Sequence, residues 1–216
     1  IKQEQIKIRK ISLDNPRIHA IVTKEGKANW DITKPSTDTT TGKEEPTEFK
    51  VALKKFEINN GFILFEDAKA GTVASIVNLN HTLTGDFTQD IFDLETKTTA
   101  DEVNVVFAGV KYLSKVKTDI KIDMLADIPN SKYTFKDNEI QLNELSLGFD
   151  GFVAMPEKNT IMDVKFHANK TEFKNILSLI PAVYSKDFKD LKSSGTLALD
   201  GFAKGTYNEN SLPAFA

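Results

Sequence analysis

The sequence predicts a mostly β protein, all-β to α+β in class. We expect a strongly curved antiparallel sheet of roughly a dozen strands, with an amphipathic helix near residues 171–191 packed on it or capping it. Three observations lead to this class. Apolar and polar side chains alternate along most of the chain, turn residues recur about every 8–12 residues, and one segment alone has helical spacing.

Apolar side chains occupy every second position in segment after segment, which is typical of strands with one buried face. Turn residues such as Asn59-Asn60-Gly61 and Asp150-Gly151 separate these segments and indicate antiparallel meanders. The alternating series are Val73, Val77, Leu79 and Leu83; Val103, Val105 and Phe107; Ile120, Ile122 and Met124; Tyr133 and Phe135; and Leu145, Leu147 and Phe149.

The alternation changes phase at two places, between Ile8 and Ile11 and between Leu53 and Phe56. Because a one-residue slip moves every following side chain to the other face, a phase change inside a strand requires a β-bulge. Bulges bend and twist strands, and they therefore favour a coiled sheet over a flat one.

The predicted helix spans residues 171–191, where apolar side chains recur at steps of three and four. Thr171 is a suitable N-cap, and Pro181 is expected to kink the helix or to begin a second short one. The apolar positions of this helix are Phe173, Ile176, Leu177, Ile180, Tyr184, Phe188 and Leu191.

We predict one domain over residues 1–216, cut from a longer protein, because both ends look like interrupted strands. Segment 33–48 has six threonines, two prolines and no large apolar residue, and it is predicted to be a flexible loop within that domain. Segments for anchoring and targeting are expected to lie outside this sequence.

Composition and charge exclude several classes of function. The chain has 28 basic and 31 acidic residues, and its lysines alternate with acids, so a nucleic-acid partner is not expected. No apolar run approaches the roughly 18 residues that span a bilayer. Cysteine is absent, which removes thiol catalysis and thiolate metal sites.

Catalytic and metal-binding residues are not expected either, and neither is a cofactor. The histidines at positions 19, 81 and 167 are far apart in sequence. His81 shares the apolar phase of Leu79 and Leu83, and we interpret it as a buried histidine bonded to backbone. Adjacent acids such as Glu66-Asp67 point to opposite faces of a strand, so they form a poor carboxylate pair.

Three stretches of the sequence carry a family resemblance. The first combines PRI at 16–18 with EGKANWDI at 25–32. The second is FKVALKKFEINNGFILFED at 49–67, with a strand, an Asn-Gly turn and a return strand. The third is LSLIPA at 177–182. With these stretches the sequence resembles AsmA family proteins, and their Bacteroidetes-type members in particular. Within the first stretch, we expect Trp30 to cap a core edge, and Asn29 and Asp31 to satisfy backbone groups.

The resemblance implies a location and a role in the envelope of Gram-negative bacteria. AsmA-like proteins resemble the repeating-β-groove lipid-transfer proteins. They are tethered to the inner membrane by an N-terminal helix, which this sequence lacks, and they extend into the periplasm. Their role is in outer-membrane biogenesis and integrity and in phospholipid transport between the two membranes. Any membrane contact would then be made by segments outside this sequence.

The residues themselves support a hydrophobic β-groove for phospholipid acyl chains. Fifteen phenylalanines against four tyrosines suit a surface without polar groups. Each methylene removed from water contributes roughly 0.8 kcal/mol. The candidate lining residues are Val51, Leu53, Phe56, Ile58, Val77, Leu79, Leu83, Val105, Phe107, Ile120, Ile122, Phe135, Leu145 and Leu147.

The same residues allow another interpretation. The helix near 171–191 would close the groove if it covered the apolar face. The domain would then be a structural spacer, or a docking scaffold for envelope proteins, without lipid binding. A filled core would favour the scaffold, and a long open apolar groove would favour lipid binding.

Overall fold

The computed structural model describes residues 8–32, 53–177, 179, 194–209 and 211–216. It confirms the mostly β class, because these residues form one large, curved, non-closed sheet of 11 strands and one short helix. The strands are β1 Lys10–Asp14, β2 Arg17–Val22, β3 Lys55–Asp67, β4 Thr72–Gly85, β5 Ile91–Phe107, β6 Val110–Asp127, β7 Lys132–Leu142, β8 Leu145–Ala154, β9 Thr160–Glu172, β10 Thr196–Tyr207 and β11 Ala214–Phe215; the helix is α1 Phe173–Leu177.

From β3 to β11 the sheet is an antiparallel meander in which each strand pairs with the next along the chain. The beginning is different, since β1 and β2 both pair with β3 and both run parallel to it. Lys10 lies opposite Lys55, and Arg17 lies opposite Phe62. The sheet is therefore mixed: the predicted antiparallel pairing is found from β3 onward, and the pairing at this edge is parallel. A parallel pair needs a long crossover connection, which the 32 residues between β2 and β3 are enough to provide.

A short hairpin protects the outer edge of β2. The side-chain oxygen of Asn29 accepts a hydrogen bond from the Ile21 amide at 2.9 Å, and its side-chain nitrogen donates to the His19 carbonyl at 2.8 Å. Asn29 therefore satisfies backbone groups, as predicted. The Trp30 ring lies against the Phe65 ring with centroids 6.3 Å apart, and the indole stays half exposed.

The predicted phase changes do not coincide with the bulges. Leu53 precedes β3, and the first register shift in β3 falls between Ile58 and Gly61. Ile8 precedes β1, whose pairing with β3 is regular. Apolar alternation misplaced the bulges because they form at polar residues with left-handed backbone, such as Asn60 and Asn78, with φ of 51° and 53°.

A chain of hydrogen bonds joins the bulges of neighbouring strands. The side-chain nitrogen of Asn60 donates to the side-chain oxygen of Asn15 at 2.5 Å. The backbone N–H of Asn60 donates to the side-chain oxygen of Asn80 at 3.0 Å. Asn80 donates to the Asn78 carbonyl at 3.1 Å, and Asn78 donates to the Asp101 carboxylate at 2.7 Å. We call these five residues the asparagine seam. It crosses the sheet from the β1–β2 junction to β5 and satisfies polar groups where the ladder is broken.

The helical prediction is only partly covered by the described residues. Thr171 belongs to strand β9, and the helix α1 begins at Phe173, so Thr171 is not its N-cap. Its hydroxyl instead accepts a hydrogen bond from Asn175 at 3.3 Å. Most of segment 171–191, including Pro181, lies outside the described residues, as do the predicted loop 33–48 and Val51. Within the described part, no helix has the length and hydropathy needed to cross a membrane.

Candidate functional site

The pairing register places one continuous set of apolar side chains on the same face of the sheet. Residues directly opposite each other on paired strands share a face, so rows can be followed across the sheet. One row runs from Phe56 through Leu83 and Thr96 to Ile122. Another runs from Ile140 through Leu147 to Ala168. We call the face that carries these rows the apolar face, and the other the polar face.

Most of the predicted lining residues lie on the apolar face. Val77 does not, because the bulge at Asn78 moves it to the polar face, where its partners are Phe62 and Glu102. Leu53 lies just before β3 and has no register partner. The predicted residues on the apolar face are Phe56, Ile58, Leu79, Leu83, Val105, Phe107, Ile120, Ile122, Phe135, Leu145 and Leu147.

Sequence reasoning missed a further part of this face, in the strands beyond the bulges and in β9. Their alternation is as regular as elsewhere, but the bulges reverse its phase, so a face could not be assigned to it without the register. The missed residues are Ile63, Phe65, Ile76, Val116, Ile140, Val164 and Phe166.

Charge is almost completely segregated between the two faces. Among the described strands, Asp67 is the one Asp, Glu, Lys or Arg that the register places on the apolar face. It stands at the turn after β3, where its carboxylate accepts hydrogen bonds from the amides of Lys69 and Ala70 at 2.9 and 2.8 Å. The remaining strand positions of the apolar face are apolar or neutral.

The polar face carries the charged side chains. Glu57 lies between Lys10 at 2.6 Å and Lys55 at 2.5 Å, and hydrogen bonds from these two ammonium groups lower the pKa of its carboxyl. Lys121 pairs with Asp123 at 2.9 Å, and this contact raises the pKa of the Lys121 ammonium. The polar face also holds a depression of about 450 Å³ between charged and hydroxyl side chains of β4 to β7.

In the part of the chain that the structure describes, the buried side chains of the strands lie on the apolar face, while Gly148, which has no side chain, is buried on the polar face beside His167. Even on the apolar face most side chains are half-buried, and Phe107 is 47% exposed. The principal contacts of each strand are with its sheet neighbours, and α1 contacts β9, so the described elements form a single layer. The residues with buried side chains are Ile58, Leu79, Ala100, Val116, Thr118, Ala126, Asn138, Leu145, Ala168 and Thr171.

His81 is the one histidine on the apolar face. Its Nδ1 lies 2.8 Å from the Thr98 hydroxyl, so its partner is a side chain and not the predicted backbone group. The imidazole also lies beside the Phe56 ring, 6.1 Å between centroids, and burial lowers its pKa. Among the described residues, no group of three or more His, Asp or Glu side chains is arranged to hold a metal ion.

Comparison of the chain with protein-family models, with curated proteins and with solved structures finds no match.

Proposed function

We propose that this protein is a non-enzymatic, AsmA-like domain of the bacterial cell envelope, and that its apolar face is the inner wall of a groove for phospholipid acyl chains. The single observation that carries the proposal is the segregation of charge. A face that spans the whole sheet, holds one carboxylate at its margin and keeps large apolar side chains half exposed suits hydrocarbon better than water.

The bulges support an inward curve of the apolar face. The register places both residues of each bulge in the asparagine seam, such as Asn59 and Asn60 in β3, on the polar face. The extra residues lengthen the polar side of each strand, so that the strand bends toward the apolar side. The position of the buried strand side chains on the apolar face agrees with this direction.

The dimensions fit acyl chains. Strands lie about 4.8 Å apart, so ten strands in succession make a face roughly 43 Å wide. A phospholipid acyl chain extends over half of a bilayer core, which is about 15 Å. At roughly 0.8 kcal/mol per methylene, even a half-covered chain gains several kcal/mol from contact with the apolar face.

In the cell, the domain would contribute to outer-membrane biogenesis and integrity by carrying phospholipid between the inner and outer membranes. The resemblance to AsmA proteins supports a periplasmic position, with tethering to the inner membrane by a helix outside this sequence. Other envelope proteins are the partners proposed besides phospholipid.

The first test compares two substitutions at adjacent positions on opposite faces. Phe107 is on the apolar face and pairs with Thr72. Val73, which follows Thr72 in the chain, is on the polar face and is 41% exposed. Phe107→Asp is expected to reduce phospholipid bound in native mass spectrometry by about tenfold or more, because it places a carboxylate in the groove. Val73→Asp is expected to leave binding unchanged.

A second pair lies in the middle of the sheet. Ile122 faces the groove and Leu125, on the same strand, faces the other way. Ile122→Asp should abolish the transfer of a fluorescent phospholipid between vesicles, and Leu125→Asp should not. If both variants of a pair lost lipid binding or transfer to the same extent while their unfolding curves stayed unchanged, the proposed groove would be contradicted. A protein that stays free of lipid after incubation with vesicles would favour the structural spacer or docking scaffold.

A further inference from the structure

Among the polar side chains on the apolar face, three lie close together on two neighbouring strands, apart from the buried Thr118, Asn138 and Thr171. His81 on β4 lies opposite Thr98 on β5, and Thr96 lies two residues along β5 on the same face. All three are half-buried, and they are surrounded by Phe56, Leu83 and other apolar residues. Polar groups on an apolar surface are costly unless they are hydrogen-bonded, so their position here calls for an explanation.

The hydrogen bonds of this group are incomplete within the protein. His81 uses Nδ1 for its contact with the Thr98 hydroxyl at 2.8 Å. In the part of the chain that the structure describes, its Nε2 and the Thr96 hydroxyl have no hydrogen-bond partner. Two neutral polar groups are thus available to a molecule that lies on the apolar face.

The lack of positive charge on the apolar face limits which ligand group could bind at His81 and Thr96. The apolar face has no Lys or Arg among its described strand positions, so a phosphate or a carboxylate would find no counter-charge there. Burial lowers the pKa of His81, which keeps the imidazole neutral near pH 7. A neutral acceptor fits two neutral donors, and the ester carbonyl of a glycerolipid is such an acceptor next to the acyl chains.

We propose that His81 and Thr96 form a polar subsite that donates hydrogen bonds to the ester carbonyls of a bound glycerolipid, with Thr98 as a positioning residue. The proposal rests on the proposed function. In this subsite we assign the Thr98 hydroxyl as the donor to Nδ1, an assignment that places the imidazole proton on Nε2, where it can be donated to the ligand. The subsite fixes the depth at which the acyl chains enter the groove.

The test uses two short-chain phosphatidylcholines, a diester and its diether analogue, which differ in the carbonyl groups alone. Titration by native mass spectrometry is expected to show that the wild-type protein binds the diester about three- to tenfold more tightly. His81→Phe keeps an aromatic ring beside Phe56, and it should remove this preference while leaving diether affinity within about twofold. Thr98→Val should weaken the preference for the diester. His81→Gln, unlike His81→Phe, should keep part of this preference.

His167→Phe is the matched control, because His167 lies on the polar face opposite Gly148 and Asp200. It should leave the preference intact. Equal affinity of the wild-type protein for both lipids would overturn the subsite but leave the groove standing, and so would a preference that persists in both His81→Phe and Thr96→Val. Absence of binding to either lipid would overturn the subsite together with the proposed function.

Discussion

At the scale of single residues, Asn29 shows how one side chain can take the place of a strand. Its amide group bonds to both the Ile21 N–H and the His19 carbonyl, which are edge groups of β2. An edge strand with free N–H and carbonyl groups invites pairing with another chain. Asn29 occupies these groups within the molecule, and this is a structural role for the last residue of the GKAN stretch at 26–29.

We predict that Asn29→Ala lowers the free energy of unfolding by about 1–2 kcal/mol, because two hydrogen bonds to backbone are lost. Urea denaturation would give the size of the change. Hydrogen exchange would give its location, since the Ile21 amide should exchange faster while the Phe62 amide, bonded to the Pro16 carbonyl at 2.8 Å, should not. Unchanged exchange at Ile21 would contradict this role.

At the scale of elements, apolar alternation in the sequence predicts correctly which face a side chain occupies, wherever the strand is regular. Leu79 and Leu83 lie on one face of β4 as expected, and so do Ile120 and Ile122 on β6. Val77 was placed wrongly because nothing in its apolar neighbours shows the bulge at Asn78.

The parallel pairing of β1 and β2 with β3 could not be predicted from the sequence either. Alternation along a strand sets its faces but contains no information about the direction of its neighbour. The short connections from β3 to β9 allow hairpins, which favours antiparallel pairing there. The long connection before Lys55 allows either direction, and the choice depends on contacts between distant residues.

Asn78 provides a test of the bulge. Its φ of 53° is tolerated by asparagine and glycine but strained for a β-branched residue. Asn78→Val is expected to cost about 2–4 kcal/mol, from backbone strain and from the lost hydrogen bond to Asp101. Asn78→Gly removes the hydrogen bond without the strain, and it should cost about 1 kcal/mol in the same urea titration. Equal losses in the two variants would mean that backbone strain does not determine the choice of residue.

At the scale of the whole molecule, a single curved layer leaves its apolar face accessible among the described residues. A ligand that binds the folded state and not the unfolded chain stabilises the fold by about 2.7 kcal/mol at a concentration one hundred times its Kd. Dihexanoyl phosphatidylcholine, kept below its micelle concentration, should therefore raise the unfolding temperature in a concentration-dependent way.

Glycerophosphocholine is the control for this prediction, because it has the same headgroup and no acyl chains. It should leave the unfolding temperature unchanged, since the described strand positions of the apolar face offer no cation to its phosphate. A similar rise with both compounds would show that binding occurs through the headgroup, at a place other than the apolar face.

The meander has a mechanical consequence. Because the main contacts of each strand from β4 onward are with the strands before and after it, the sheet resembles a one-dimensional array. A force applied to the C-terminal end would detach β11, β10 and β9 one after another, in a series of small steps. At the other end β1 and β2 each pair with β3 alone, so they would detach first, and β3 would then detach from β4. Pulling in an optical trap should therefore give a series of small steps from either end, and no single large unfolding event.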